Sequence, residues 1–249
     1  FERVFGSRAL ILSLDDFYLT LDERKDLSRQ VTPLLVTRGV PGTHDVNLMN
    51  RVIEDICNGQ QTQIPRFDKA IDDRKQDLET VASGVDVLIV EGWCLGATGY
   101  SQTKIEQQRL YQPVNVLEQN EDVDCVWRSY ADSQLKGSGY QRLFQSFNGL
   151  FYLAIPGWEA VMRWRALQET KLVAAVAQQA DNQSRTDDES RVTTQTSGRI
   201  KTMDRSGIER FVMFYERLTK KMLDEVPGTA DLTFSLNDNH AFISVNINP

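Results

Sequence analysis

Apolar residues follow two periods along this chain. Short, almost continuous apolar runs alternate with stretches in which apolar positions return every three or four residues. The run Ala9-Leu10-Ile11-Leu12-Ser13-Leu14 closes on Asp15-Asp16, and Val85-Asp86-Val87-Leu88-Ile89-Val90 closes on Glu91-Gly92. Both predict buried parallel strands. A third strand is predicted over 150–155, ahead of Pro156-Gly157. A fourth and a fifth, 232–236 and 241–245, flank the turn-forming Asn237-Asp238-Asn239. Ile208, Phe211, Val212, Tyr215, Leu218 and Met222 line one stripe of a helix whose other face carries Glu209, Arg210, Lys220 and Lys221. Further helices are predicted over 48–57, 124–135 and 158–180.

Strands alternating with helices imply an α/β fold built on a parallel sheet with both faces covered. A chain of 249 residues can bury one large core, so residues 1–249 are read as a single domain. The segment 181–205 breaks the pattern: it is polar and carries Arg185, Arg191, Arg199, Lys201 and Arg205. It reads either as a lid or as a solvated loop. The apolar runs are far shorter than the ~20 residues that span a bilayer, and no membrane span is expected.

Charge narrows the choice of partner. Lys and Arg total 28 against 35 Asp and Glu, a net charge of -7, and such a field repels polyanions. Nucleic-acid binding is therefore disfavoured, although a local Arg/Lys cluster can still hold a small anion. Cys57, Cys94 and Cys125 are widely spaced and odd in number, and no secretory leader is visible. A reduced, cytoplasmic setting is the expectation. With only His44 and His240 and no CxxC, a structural zinc site is disfavoured.

In open α/β sheets ligands bind at the carboxyl ends of the strands, where Asp15, Asp16 and Glu91 fall. Carboxylates there can hold Mg²⁺, and one can take the proton of an attacking hydroxyl, the division of labour that phosphoryl transfer needs. The alternative is that Asp15 or Asp16 caps a helix. Arg38-Gly39-Val40-Pro41-Gly42-Thr43-His44-Asp45 joins turn residues to groups able to recognise a polar ligand, or is a structural turn in which Asp45 caps the next helix. Ile64-Pro65-Arg66-Phe67-Asp68-Lys69 and Asp72-Asp73-Arg74 crowd charges into one loop, a pattern that by itself is also that of a solvated surface. Arg163, Arg165 and Glu169 lie on the helix before the polar segment, where Arg165 and Glu169 have i,i+4 spacing. None of the 15 glycines is followed by lysine, so residues 1–249 hold no G-x-x-x-x-G-K-[ST] loop. Nor do they hold a G-x-S-x-G elbow or a G-x-G-x-x-G fingerprint.

Several blocks in order resemble the D-glycerate 3-kinase family, P-loop metabolic kinases related to uridine and pantothenate kinases. They are Leu12-Ser-Leu-Asp15-Asp16-Phe-Tyr18-Leu-Thr20, Arg38 to Asp45, Ile64 to Lys69, Val90-Glu91-Gly-Trp-Cys-Leu-Gly96, Gly139-Tyr140-Gln141, Trp164-Arg165-Ala-Leu-Gln-Glu169, Phe211-Val212 with Tyr215 to Thr219, and Asn248-Pro249. The resemblance implies a three-layer α/β P-loop kinase fold with a helical lid region, which moves the γ-phosphoryl of ATP onto a small hydroxy acid with Mg²⁺. By position, Asp15 resembles the catalytic base, Tyr18 a residue near the acceptor, and Glu91 the acid that helps to hold Mg²⁺, with Asp15 a second candidate ligand. Arg38, His44, Asp45, Arg66, Lys69 and Arg74 fall in the acceptor-binding region, and Arg163 and Arg165 where lid arginines meet phosphates. In this family the phosphate loop and its strand precede the strand corresponding to 9–14, so both are expected ahead of Phe1. Phe214 stands where family members often carry His, and 181–205 is longer and more polar than the family's lid.

Overall fold

The computed structural model describes residues 2–171 and 204–248. After a short helix, α1 (Glu2–Phe5), strand β1 (Ala9–Ser13) pairs in parallel with β6 (Val87–Glu91), in a register running from Ala9 opposite Val87 to Ser13 opposite Glu91. The ladder starts at Arg8, whose carbonyl accepts the N–H groups of Asp86 and Val87. A second group holds β7 (Phe151–Ala154) parallel to β8 (Leu232–Leu236), and β9 (Phe242–Ile247) antiparallel to β8. The β8–β9 turn is where the sequence predicts it: the Asn237 side chain accepts the N–H groups of Asn239 and Ala241, a common turn device of Asn.

The predicted first strand ends one residue early. Leu14–Phe17 closes into a 3-10 turn with Leu14 and Phe17 buried, which leaves Asp15 and Asp16 on its outer side. Helix α2 (Leu21–Gln30) follows behind a capping box in which Thr20 and Glu23 bond each other's backbone N–H. Helix α3 (Val46–Cys57) starts on Asp45, whose side chain accepts the Leu48 N–H. Two small antiparallel ribbons separate α3 from β6: β2 (Thr62–Ile64) with β5 (Glu79–Val81), and β3 (Phe67–Asp68) with β4 (Asp73–Arg74).

Four helices precede β7: α4 (Lys104–Tyr111), α5 (Val116–Glu121), α6 (Val126–Lys136) and α7 (Ser138–Gln145). The helix predicted over 124–135 begins later, because Cys125 is left-handed (φ 57) and Asp122 takes the N–H groups of Trp127 and Arg128. A helix α8 covers 158–171, and α9 (Arg205–Glu225) carries the apolar stripe read from the sequence. Residues 172–203 lie outside the described residues, and with them most of the predicted lid. Of that segment, Asp204 caps α9 and Arg205 is its first residue.

Alternation along the strands sends one side chain in two to each face. Leu10, Leu12, Leu88, Val90 and Tyr152 pack with the α3 stripe of Met49, Val52, Ile53 and Ile56 and with Leu143 of α7. The side chains of Ile11, Phe151 and Leu153 are exposed. These three exposed side chains alternate with the packed ones along β1 and β7.

A second interior is ionic. Arg217 of α9 donates to both oxygens of Glu118, which is fully buried, and to the carbonyls of Arg109 and Gln112. Arg128 is also buried and binds Asp122 while standing 3.8 Å from Glu118. Removing one partner of a buried pair strands the other charge in a low-dielectric site. Arg217→Met should therefore lower stability by about 3 kcal/mol in urea unfolding, and Arg217→Lys should recover only part of it, because a lysine cannot make the two-pronged contact. A change below about 0.5 kcal/mol would show that the remaining Arg128 neutralises Glu118 alone.

Candidate active site

The β1–β6 register brings the ends of both strands to one edge, so Asp15 stands two residues past Ser13, and Ser13 lies opposite Glu91. The sequence expectation that the two acids share a sheet edge is met. Asp15 accepts from Lys69 Nζ at 2.8 Å and from the Tyr18 hydroxyl at 2.6 Å. Asp16 accepts from Arg66 at 2.6 Å and from the Phe67 N–H at 3.0 Å. Neither caps a helix. Together they draw the β3–β4 ribbon across the strand end.

Burial by itself would push the Asp15 pKa up. The hydrogen bonds from Lys69 and Tyr18 and the lysine's charge outweigh it and hold the carboxyl below its ordinary 3.8. Asp15 is thus ionised at neutral pH. Tyr18 is driven the other way by burial and by the charge of Asp15, so it stays a proton-bearing donor. Glu91 is exposed, and its side chain makes no hydrogen bond or ion pair among the described residues.

The loop 38–45 lies along the turn that holds Asp15. Leu19 N–H donates to the Thr43 carbonyl and Asp45 N–H to the Phe17 carbonyl, with Tyr18 bridged to His44 as an isolated antiparallel pair. Glycine is required here: Gly39 has φ 123, and a Cβ on it would sit 2.1 Å from the Tyr215 hydroxyl. His44 stacks on Tyr18 with ring centroids 4.7 Å apart, and its Nδ1 lies 2.8 Å from the Tyr140 hydroxyl. Burial pushes the His44 pKa down from 6.5 to about 4 against the pull of Asp15. Cys94, also buried in the core, is pushed up to about 12 and is a thiol.

The basic residues expected to bind an acceptor already have partners within the chain. Arg38 pairs with Asp72 and lies over the Phe67 ring. Arg66 bridges Asp16 and Glu79. Arg74 donates to the Tyr18 carbonyl, shares the Phe17 carbonyl with the Asp45 N–H, and stands 3.7 Å from Asp45. Lys69 differs: it spends one bond on Asp15, its side chain is 63% exposed, and an ammonium has three donors. Arg163 pairs with Asp238 in the β8–β9 turn. Arg165 pairs with Glu169 at 3.2 Å and covers Phe211, while its Nε is buried with no hydrogen-bond partner among the described residues.

Three groups that shape the site were not read from the sequence as site residues. Asp72, left-handed at φ 58, ties Arg38 to the fully buried Arg24; Tyr140 and Tyr215 reach the loop 38–45 from distant helices. Among the described residues no group of three or more His, Cys, Asp or Glu side chains converges as a metal cage, and no helix is long and apolar enough to cross a membrane.

Parallel strands ending in acids, with helices against them, make an α/β fold. The solved structure of D-glycerate 3-kinase from Cryptococcus neoformans superposes with a TM-score of 0.74 at 22% identity, over 99% of this chain and 82% of that one. The YGR205w protein superposes at 0.65 with 24% identity, over 97% and 78%. In sequence the chain is 30% identical over 177 residues to "Uncharacterized kinase mug58" of Schizosaccharomyces pombe, and 29% identical over 192 residues to "Probable ATP-dependent kinase TDA10" of Saccharomyces cerevisiae. These alignments take in 66% and 70% of this chain, and the chain spans about 60% of the length of those curated relatives. No family model matches. The chain has the fold of the glycerate kinase-like P-loop kinases, and the resemblance read from its blocks is borne out.

The buried imidazole makes a pH signature. In the folded protein His44 gains its proton near pH 4, whereas an ordinary histidine does so near 6.5. Between those values the unfolded chain binds the extra proton, so stability falls as pH is lowered through this window, by about 3 kcal/mol from this residue. Urea unfolding at pH 7 and at about pH 4 should show this loss in the wild type and lack it in His44→Gln. Equal slopes for the two proteins would show that the ring is not held neutral.

Proposed function

We propose that the protein is an ATP- and Mg²⁺-dependent kinase of a small hydroxy acid, with D-glycerate the first candidate acceptor. The observation that carries this reading is the ionised Asp15 carboxylate at the carboxyl end of β1, held by Tyr18 and by an exposed Lys69, across the ladder end from Glu91, whose side chain has no partner among the described residues. The fold likeness to D-glycerate 3-kinase supports the choice of acceptor. Three unpaired cysteines, one of them exposed, suit a cytoplasmic setting.

In this reading Asp15 is the general base. The acceptor hydroxyl gives its proton to an Asp15 oxygen as its own oxygen attacks the γ-phosphorus, and the bond from that phosphorus to the bridging oxygen of ADP breaks. Tyr18 keeps the carboxylate in place by donating to Oδ1. Lys69 supplies spare N–H donors for the acceptor's carboxylate, with His44 and Asp45 on the neighbouring loop. Arg38, Arg66 and Arg74 serve mainly to hold that architecture, since their guanidinium groups are engaged within the chain. Mg²⁺ neutralises charge building on the phosphates when bound, and it needs only one or two protein carboxylates beside phosphate oxygens and water. Glu91 fits that requirement; Asp15, with both oxygens engaged, fits the base better than the ligand. Arg165, whose Nε has no hydrogen-bond partner among the described residues, is the better placed of the two lid arginines for a phosphate contact.

Turnover is to be measured on the product of the complete coding sequence. Asp15→Asn should lower kcat by ~10²–10⁴ while the dissociation constant for ATP stays within about two-fold. An unchanged kcat would remove Asp15 from the base role. Supplying D-glycerate, uridine and pantothenate separately under saturating ATP tests the acceptor: phosphorylation of glycerate alone is expected. Preference for uridine or pantothenate would replace the hydroxy acid by that acceptor, and binding without turnover would mark a catalytically silent protein.

A further inference from the structure

His44 is fixed from behind by a residue 96 positions away in the chain. Tyr140, on α7 and 1% exposed, places its hydroxyl oxygen 3.0 Å from the Gly42 nitrogen and 2.8 Å from His44 Nδ1. A backbone N–H can only donate, so Gly42 occupies a lone pair of that oxygen. The hydroxyl proton remains, and in a buried position it needs an acceptor. Among the described residues the acceptor at hand is His44 Nδ1. If Nδ1 carried the proton instead, two N–H groups would converge on one hydroxyl whose own proton had no acceptor, a net loss relative to the first arrangement.

With Nδ1 accepting, a neutral imidazole must carry its proton on Nε2. His44 is 6% exposed, and its Nε2 has no hydrogen-bond partner among the described residues. The ring packs between Tyr18, whose hydroxyl is bound to Asp15, and the edge of Tyr140. The ring is largely buried, but Nε2 is not among the atoms closed to solvent. This donor, without a partner among the described residues and one aromatic layer from the base, can therefore be reached by an oxygen of a bound molecule. We propose that Tyr140 is a positioning residue: its hydroxyl locks His44 in the Nε2–H tautomer, and that N–H donates to an oxygen of the anionic acceptor. The nature of the acceptor rests on the kinase reading; the tautomer does not.

Histidine tautomers are distinguishable by ¹⁵N NMR, and the chain has only two histidines, His44 and His240, so a His240→Asn spectrum assigns both. At pH 7 the wild type should show His44 protonated on Nε2, and Tyr140→Phe should lose that bias. Adding D-glycerate should shift the Nε2–H resonance of the wild type. In kinetics Tyr140→Phe should raise KM for glycerate by roughly ten-fold, the worth of about one hydrogen bond, with kcat and KM for ATP within about two-fold. His44→Gln, whose amide can place an N–H near the Nε2 position, should keep more acceptor affinity than His44→Asn. An Nδ1–H tautomer in the wild type overturns the positioning role even if glycerate is phosphorylated. A correct tautomer with no response to glycerate overturns the donor role. A Tyr140→Phe protein with both KM values raised equally would mark Tyr140 as merely structural. Failure of the wild type to phosphorylate any acceptor would instead count against the kinase reading, while the substrate-free spectrum would still decide the tautomer.

Discussion

Two adjacent, partly buried carboxylates at the end of β1 must be neutralised, and the rest of the site follows from how this is done. Asp15 and Asp16 point to the outer side of the 3-10 turn and recruit different cations, Lys69 and Arg66. Both cations lie on one short stretch, so satisfying the two charges folds that stretch over the strand end. Arg74 then binds the Tyr18 carbonyl, and Asp72 meets Arg24 and Arg38. The loop 38–45 is enclosed between this ribbon and the helices. A single demand for charge balance thus orders four chain segments around one edge of the sheet.

The same logic explains why so many basic residues surround an acidic edge in a chain of net charge -7. Most are structural. An arginine whose several donors end on carboxylates and carbonyls is held too firmly to greet a ligand, since breaking those bonds would expose the same unpaired groups they now satisfy. Lys69 is freer because its single contact leaves donors in solvent. The ionic interior around Glu118 obeys the same requirement for pairing buried charge. It joins α5 to α9 and steadies the helical layer against which Tyr215 and Tyr140 meet the loop.

Local signals were sufficient where a local rule governs. Asp45 capping α3 and the Asn237 turn each depend on neighbours within a few residues and are found where the pattern places them; α9 forms over its stripe, but Lys221, read on its polar face, is buried and paired with Glu225. The helices α2, α4 and α5 are missed by apolar periodicity because their stripes are weak, although Thr20 with Glu23, Thr103 with Glu106 and Asn115 with Glu118 mark their starts by capping. The short ribbons β2–β5 and β3–β4 had no such mark: two or three residues are too few for alternation to stand out.

Hydrophobic periodicity and turn chemistry act over short spans, so the α/β character, the two acids at strand ends and the loops beside them were legible in the amino-acid order alone. Partners were not. That Lys69 rather than Arg66 holds Asp15, that Arg74 and Arg38 serve the backbone and Asp72, and that Tyr140 governs the histidine depend on contacts 34 to 96 residues apart. These pairings required the folded chain, since hydrogen bonds and ion pairs are set by ångström distances that composition and spacing along the chain do not encode.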